Sequence, residues 1–521
     1  VLVHPRTLEV LDDLGSAQSL IDEGLYLHEA DLFGEDRRIG RLSFDSLDTF
    51  FPFVLSVPQV LTETILARCL EQAGVGVERG VAFEGVEQDA RSVRSTLRTA
   101  AGRPLEIGAS WLVGCDGAGS AVRTAAGIGL LGGSFDEDYV VADLHVGWAI
   151  PRDALWVRFS ERGVVVAAPL PDGRYRVWMG VRGGIAQAPQ GQPTLAELRA
   201  LANERGLAGT ALSDPGEICR WRVHHRVADT YRAGRIFLAG DAARVHTPLA
   251  GYGMNSGIQE ANNLAWKLAL VTKGAAPPEL LDSYETERRA VAEAVVRAAE
   301  IAARVSRWRN PIGAALRRRI GELIAGLEPV QGRLARSFSG VGVNYRGSPI
   351  VAQTAARWFR ARPTVNGGSA PPTLEERLEF GGAPHAGDRA VDGTAARVGV
   401  EPGRLHDLLR GPHHHLLVFE GAHEEPTGKL GSVERVVGES YGDWIRVHRV
   451  RVAQPTTRDE PEPDSLILDP QGDLHHRYGA GAACLYLVRP DGYIGYRGQP
   501  PDERALMGYL SRIFDATPAK D

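Results

Sequence analysis

Residues 237–257 read FLAGDAARVHTPLAGYGMNSG. An apolar strand ends in Gly240-Asp241, crosses a Pro- and Gly-rich loop and enters a long helix. Such a strand end puts the Asp241 carboxylate at the C-terminal edge of a sheet, where open α/β folds bind their ligands. A carboxylate there can accept hydrogen bonds from two sugar-type hydroxyls. Pro248 stiffens the loop. Gly251, Gly253 and Gly257 let the backbone approach a flat ligand without interference from Cβ atoms. The helix, expected from about Asn255, directs free N–H groups and its positive end at that ligand. Along it, Ile258, Ala261, Ala265 and Leu268 form an apolar face, and Gln259, Asn262, Asn263 and Lys267 a polar one.

Taken alone, the loop could be a tight strand-to-helix connection with glycines in its turns. A second stretch, WLVGCDGAGSAVR at 111–123, has the same grammar: an apolar strand, Asp116-Gly117, small residues, then Arg123 in a short helix. Two such edges 125 residues apart, Asp-Gly first and Gly-Asp second, point to a bound cofactor rather than to turn chemistry.

The 521 residues favour two or three domains. A net charge of −6 leaves no electrostatic footprint for nucleic acid or an anionic membrane. No apolar run approaches the roughly 20 residues that span a bilayer. The N-terminus lacks the basic-then-apolar order of a signal peptide, so a cytoplasmic protein is expected. Cys69, Cys115, Cys219 and Cys484 lie far apart without a C-x-x-C, as buried thiols in a reducing compartment would. The histidine runs 224–225, 413–415 and 475–476 lack metal-site spacing and read as surface or loop histidines, so no metal is expected.

VLVHPRTLEVLDDLG at the start reads as a short helix, Pro5 in its first turn and Gly15 just past its end. SVPQVLTETILARCLEQAG places Leu61, Ile65, Cys69 and Ala73 on one helical face, with Ser56 and Gln59 at capping-box spacing. VGVERG at 75–80 reads as a strand. LWVRFS, GVVVAAPL and RYRVWMGV within 155–182, the last two separated by a Pro-Asp-Gly turn, predict an antiparallel sheet. Helices are expected at about 255–273 and 278–305, then strands in HLLVFEG, SLILDP and CLYLVRPDGYIGYRG. The layout is α/β followed by α+β. It comprises a discontinuous cofactor and substrate region over 1–360, with a middle sheet at about 130–230, a linker over 361–384 and a C-terminal domain over 385–521.

CDGAGSAVR and GRIFLAGDAARVHTPLAGYGMNSGIQEANNLAWKLA resemble the Asp-Gly and Gly-Asp motifs of the FAD-dependent aromatic hydroxylases of para-hydroxybenzoate hydroxylase type. The linker and C-terminal strands resemble the phenol and aromatic-polyketide hydroxylases, which append a thioredoxin-like domain. The resemblance spans nearly the whole chain. It implies an FAD/NAD(P)-binding α/β domain, an antiparallel-sheet substrate domain and a thioredoxin-like domain. It further implies that Gly240 and Asp241 bind the ribityl chain, that Pro248, Gly251, Gly253, Met254 and Asn255 line the isoalloxazine ring, that Asp116 sits near the phosphates and the nicotinamide path, and that Gln59 reaches the ribityl region. For Gln59 a helix-capping role is an equal alternative. The implied reaction is reduction of FAD by NADPH or NADH, addition of O₂ at flavin C4a, and delivery of one oxygen from the hydroperoxide to an electron-rich phenolic or polyketide aromatic. A Baeyer–Villiger outcome stays open, and no substrate base is assigned.

Three departures stand beside the resemblance. The family's opening βαβ unit with its G-x-G-x-x-G turn, about 30 residues or more, has no counterpart ahead of the first helix, so the sequence reads as an N-terminally truncated fragment or a misassigned start. Arg244 stands where the family usually has histidine, and His246 follows. The C-terminal domain carries only Cys484 and no dithiol, so a structural or homodimer-forming role is expected of it. A rival reading is a non-catalytic protein that binds an aromatic ligand or a partner, having lost its flavin unit.

Overall fold

The computed structural model describes residues 1–34, 38–148, 151–160, 163–182, 193–205, 207, 209–216, 218–245, 251–306, 328–355, 373–397, 400–421, 428–453 and 465–515. The chain divides into two compact units. One comprises Val1–Leu47, Phe51–Ala261 and Arg288–Gly342; the other comprises Asp48–Phe50, Asn262–Glu287 and Val343–Asp521.

In the first unit the opening helix is Pro5–Asp13, with proline in its first turn and Gly15 at φ 71° ending it, as its punctuation predicts. A two-residue strand, Leu2–Val3, precedes it and pairs with Val54–Ser56. The next helix is Gln59–Gln72, but no capping box forms. Ser56 is committed to that strand, its hydroxyl buried without a partner among the described residues, and Pro58 takes the cap position. VGVERG is not a strand: 75–80 is exposed chain with no ladder, and Val75 and Val77 point into solvent. Strand propensity alone does not make a strand when no neighbouring edge satisfies its N–H and C=O groups.

Among the described residues the main sheet of this unit has nine strands. Its central antiparallel run is Leu130–Gly147, Tyr175–Arg182, Gly163–Pro169 and Ala154–Ser160, the last three as predicted, and Ile218–Ala228 pairs with the outer side of Leu130–Gly147. The alternation predicts one face toward a pocket and one toward solvent. Instead both faces are covered. Trp156, Val165 and Val177 pack on Leu198 and Ala202 of the helix Leu195–Glu204, while Tyr139, Leu155, Val166 and Trp178 pack with Leu2, Phe44 and Ala335. The reason is legible in Gly163–Pro169, GVVVAAP: a continuous apolar run is the mark of burial on both sides. Each fully buried Val or Leu there is worth about 1.5–3 kcal/mol.

Among the described residues the second unit holds a six-stranded sheet in the order Ala352–Ala355, Ile494–Gln499, Cys484–Val488, His414–Phe419, Ile445–Arg451 and Leu466–Leu468. Helices Gly428–Tyr441 and Glu503–Ile513 cover one face through Leu430, Val433, Leu506 and Leu510; Phe380, Leu405, Leu474 and Tyr478 cover the other. Of the linker expected over 361–384, residues 361–372 lie outside the described residues, and Leu374–Gly382 is a helix capped by Thr373 and Glu376. The surface expectation for the histidines fails at His414, His415 and His475, which are buried. A strand covered on both faces buries neighbouring side chains in opposite directions: His414 lies against Trp266 and Phe514, and His415 meets His448 at 2.9 Å. Burial holds His414 and His415 neutral, with pKa lowered to about 3, and His448 to about 4.

The helix Tyr252–Thr272 departs in part from its expected faces. Ala261 and Ala265 are exposed, while Glu260, Asn263 and Lys267 are buried. Polar groups can be buried when each finds a partner. In the second unit Lys267 Nζ lies 2.8 Å from Glu287, Asn263 donates to Glu287 at 2.7 Å, and Arg489 pairs with Glu287 at 2.6 Å and with Asp491. Burial lowers the Lys267 pKa to about 8 against the pull of Glu287, and the two cations hold Glu287 ionised.

Candidate functional site

The two motifs meet. Strand Ile236–Leu238, which leads to Gly240-Asp241, pairs in parallel with Leu112–Gly114, which leads to Asp116-Gly117, in the register Leu238↔Gly114. Both carboxylates therefore stand at the same C-terminal edge. The Ala239 N–H donates to the Gly114 carbonyl at 3.0 Å and extends the pairing to the start of the turn. Gly114 has no room for a side chain, since a Cβ would fall 2.8 Å from Val122.

Asp116 is fully engaged. It accepts from the Ser120 hydroxyl and from the Val122 N–H at 3.1 Å, at the start of helix Ala121–Ala125, and Ser120 accepts from the Arg123 N–H at 2.9 Å. Burial works against its ionisation, but the Ser120 hydroxyl and the N–H groups of Val122, Asp116 and Ala121 outweigh it and hold the carboxyl below the usual range. Arg123 ties the two motifs together: its guanidinium donates to the Ala118 carbonyl at 2.9 Å and to the Ala242 carbonyl at 3.0 Å.

Asp241 is the opposite case. It sits in the short 3-10 turn Gly240–Ala242, is exposed, and its carboxylate has no hydrogen-bond partner among the described residues. Protein nevertheless crowds it: lost hydration raises its carboxyl above the usual value, with Arg244 pulling down and Glu260 pushing up. A Cβ on Gly253 would stand 4.0 Å from Asp241 Oδ1, and one on Gly257 3.5 Å from Gly240 Cα. The two glycines thus present bare backbone to the turn, Gly253 beside the carboxylate and Gly257 beside Gly240. Gly251, at φ 66°, takes a conformation other residues avoid, and a Cβ there would meet Leu2 at 3.2 Å.

The remaining expected residues divide. Asn255 is buried and fully bonded within the protein: its amide donates to the Leu2 and Gly251 carbonyls at 2.7 Å each and accepts from the His4 N–H at 2.8 Å. Met254 packs with Ile258 into the core of Val3, Leu8 and Leu11. The Asn255 amide is thus committed within the protein, while Met254 is half-buried. Gln59 is exposed at the start of its helix and donates to Glu63 at 2.9 Å. Pro248 and His246 lie outside the described residues.

Two residues with no expected role sit beneath the turn. Glu260, fully buried, accepts from the Gly240 N–H at 2.8 Å and from Arg244 Nε at 2.6 Å. A glutamate inside the polar face of a helix resembles any solvated charge in sequence. Its one signal is Arg244, a cation with no other stated purpose in the loop.

Residues 1–299 match the family model described as "FAD binding domain". The chain is 32% identical over 527 residues to a 6-methylpretetramide 4-monooxygenase of Streptomyces rimosus, covering 98% of this chain and 86% of that protein. It is 29% identical to a pentachlorophenol 4-monooxygenase of Sphingobium chlorophenolicum, covering 95% of this chain and 86% of that one. Among solved structures, an anhydrotetracycline hydroxylase from Streptomyces rimosus superposes with a TM-score of 0.72 at 26% identity, covering 99% of this chain and 91% of that chain.

Proposed function

The chain belongs to the FAD binding domain family, and on that premise we propose that it is a flavin-dependent monooxygenase that places one atom of O₂ on an electron-rich aromatic ring, phenolic or polyketide-derived. The observation that carries the reading is the Asp241 carboxylate, unpartnered among the described residues, at a strand end shared with Asp116 and beside the bare backbone of Gly253. That arrangement fits FAD. The Asp241 carboxylate accepts from ribityl hydroxyls, Gly240 shapes the turn, and the backbone of Gly251, Gly253, Met254 and Asn255, with Pro248, lies along the ring. Asp116 holds the neighbouring loop near the phosphates through its cap, and Gln59 approaches the ribityl region from its exposed helix start.

When bound, FAD carries electrons from NADPH or NADH to O₂ and supplies the oxygen that reaches the ring. The chain's own task is to position the ring and exclude water. The sheet face of Tyr139, Leu155, Val166 and Trp178 suits the second task, because Leu2, packed in the same apolar cluster, also lies against Gly251. The comparisons favour this catalytic reading over a binding-only protein.

Residues 385–521 are the part proposed as thioredoxin-like, serving structure or dimer formation. Cys484 supports the absence of dithiol chemistry there: it is free and buried, and burial pushes its thiol far up.

Protein expressed from its complete reading frame, supplied with FAD, should consume O₂ and NADPH or NADH faster when a naphthol or hydroxyanthraquinone is added, and ¹⁸O₂ should label the product. A protein that takes up FAD yet transfers no ¹⁸O to any member of such a panel would contradict the aromatic reading, and one that takes up no FAD would contradict it at the root.

A further inference from the structure

Arg244 and Glu260 are buried, 2% and 0% exposed, and no step of the proposed reaction uses them. Three of their contacts join the turn to the helix. Glu260 receives the Gly240 N–H at 2.8 Å through one carboxylate oxygen and Arg244 Nε at 2.6 Å through the other, while Arg244 Nη2 reaches the Gly253 carbonyl at 3.4 Å. Gly240 begins the turn that carries Asp241, and Gly253 is the helix residue that faces the Asp241 carboxylate. Stability alone is a poor reason for such a pair, since apolar residues of equal volume usually serve a core as well or better.

We propose that Arg244 and Glu260 form a positioning pair for the flavin site, clamping the Gly240–Asp241 turn to the start of the helix Tyr252–Thr272 so that the Asp241 carboxylate faces the ribityl hydroxyls. The proposal rests on the FAD reading above. Gly240 holds φ 64°, and its N–H points inward to Glu260. Without that acceptor the half-buried N–H loses its partner inside the protein, and turning toward another one rotates the peptide that leads into Asp241. The charges act in the same direction: both members of the pair bear on the Asp241 carboxyl, with opposite sign. Arg244 therefore balances the anion that Glu260 would otherwise place behind Asp241.

The test separates the clamp from its charge and from simple stability. In Arg244→Met/Glu260→Gln the charges leave together and the Gln amide oxygen can still accept the Gly240 N–H. In Arg244→Met/Glu260→Leu nothing accepts it. FAD affinity of each stripped protein is read by fluorescence quenching, alongside the melting temperature of the apoprotein and the visible spectrum of the bound flavin. The Gln variant should bind FAD within about threefold of wild type, and the Leu variant about tenfold or more weakly with an altered flavin band, while the two apoproteins melt close together. Equal FAD affinity in the two folded variants would overturn the clamp and leave the flavin reading standing. Wild-type protein that binds no FAD would overturn both. If the Leu variant does not fold, Arg244→Lys decides, because an ammonium beside Glu260 cannot also reach the Gly253 carbonyl. A roughly threefold to tenfold weaker FAD affinity supports the clamp, and unchanged affinity overturns it.

Discussion

Asp116 and Asp241 end neighbouring parallel strands and share one local grammar, yet the protein uses them in opposite ways. Asp116 spends both carboxylate oxygens on the cap of the following helix, and its acidity is strengthened. Asp241 has a turn too short to cap anything, keeps its carboxylate open, and its acidity is weakened. The difference teaches that a carboxylate at a strand's end is either consumed by the helix behind it or left for a ligand, and that the hydrogen-bond inventory distinguishes the two. On this account Asp116 shapes the site and Asp241 meets the ligand.

The hardest blow to the comparison is to cut the tie between the two turns. Arg123→Ala strips two charge-assisted bonds and leaves the carbonyls of Ala118 and Ala242 without their partner, at a cost of about 3 kcal/mol in chemical denaturation. FAD affinity should fall with it, because both turns loosen. A variant of wild-type stability would show that the strand ends hold their positions independently. Smaller, and confined to one side, is Asp116→Ala. Losing the bonds from the Ser120 hydroxyl and the Val122 N–H should cost about 1–2 kcal/mol of stability, whereas Asp241→Ala should leave apoprotein stability within about 0.5 kcal/mol. Equal losses would erase the distinction.

The smallest effect is in pH. Asp116, with its lowered pKa, contributes stability that is present above the unfolded carboxylate value and disappears as pH falls through the folded one. Asp241, with its raised pKa, opposes folding of the apoprotein at neutral pH, and that opposition fades as acid protonates it. Asp241→Asn should therefore melt slightly higher than wild type at pH 7 and converge with it toward pH 4, while Asp116→Asn should melt lower at pH 7 and converge from below. The reverse signs would contradict the environments described here.

Much of this was legible in the sequence, for identifiable reasons. The two strand–Asp–Gly signatures, the helix starting on Pro5, the Pro-Asp-Gly hairpin and the long helix after the loop all rest on local chemistry, which a single chain displays. What was not legible depends on partners distant in sequence. VGVERG has strand composition but no edge to join. Ser56 could cap a helix but belongs to a strand whose partner is the chain's first residues. The continuous run in GVVVAAP signals burial on both faces, whereas the alternation of its neighbours suggests burial on one. Within the site, the loop and both aspartates stood out. Glu260 did not, because a glutamate on a polar helix face reads as solvated until Arg244 and the Gly240 N–H are seen beneath the turn. For the same reason the buried histidines of the strand His414–Phe419 read as surface residues.

The most direct measurement is a paired FAD titration of Asp241→Ala and Asp116→Asn, each expressed from the complete reading frame, stripped of flavin and checked for folding. A charge-assisted contact to ribityl hydroxyls is worth about 1.5–3 kcal/mol, so Asp241→Ala should raise the FAD dissociation constant roughly tenfold to hundredfold. Asp116→Asn, which keeps part of its cap, should change it by less than about threefold. A folded Asp241→Ala protein that binds FAD as tightly as wild type would remove Asp241 from the site and contradict the account.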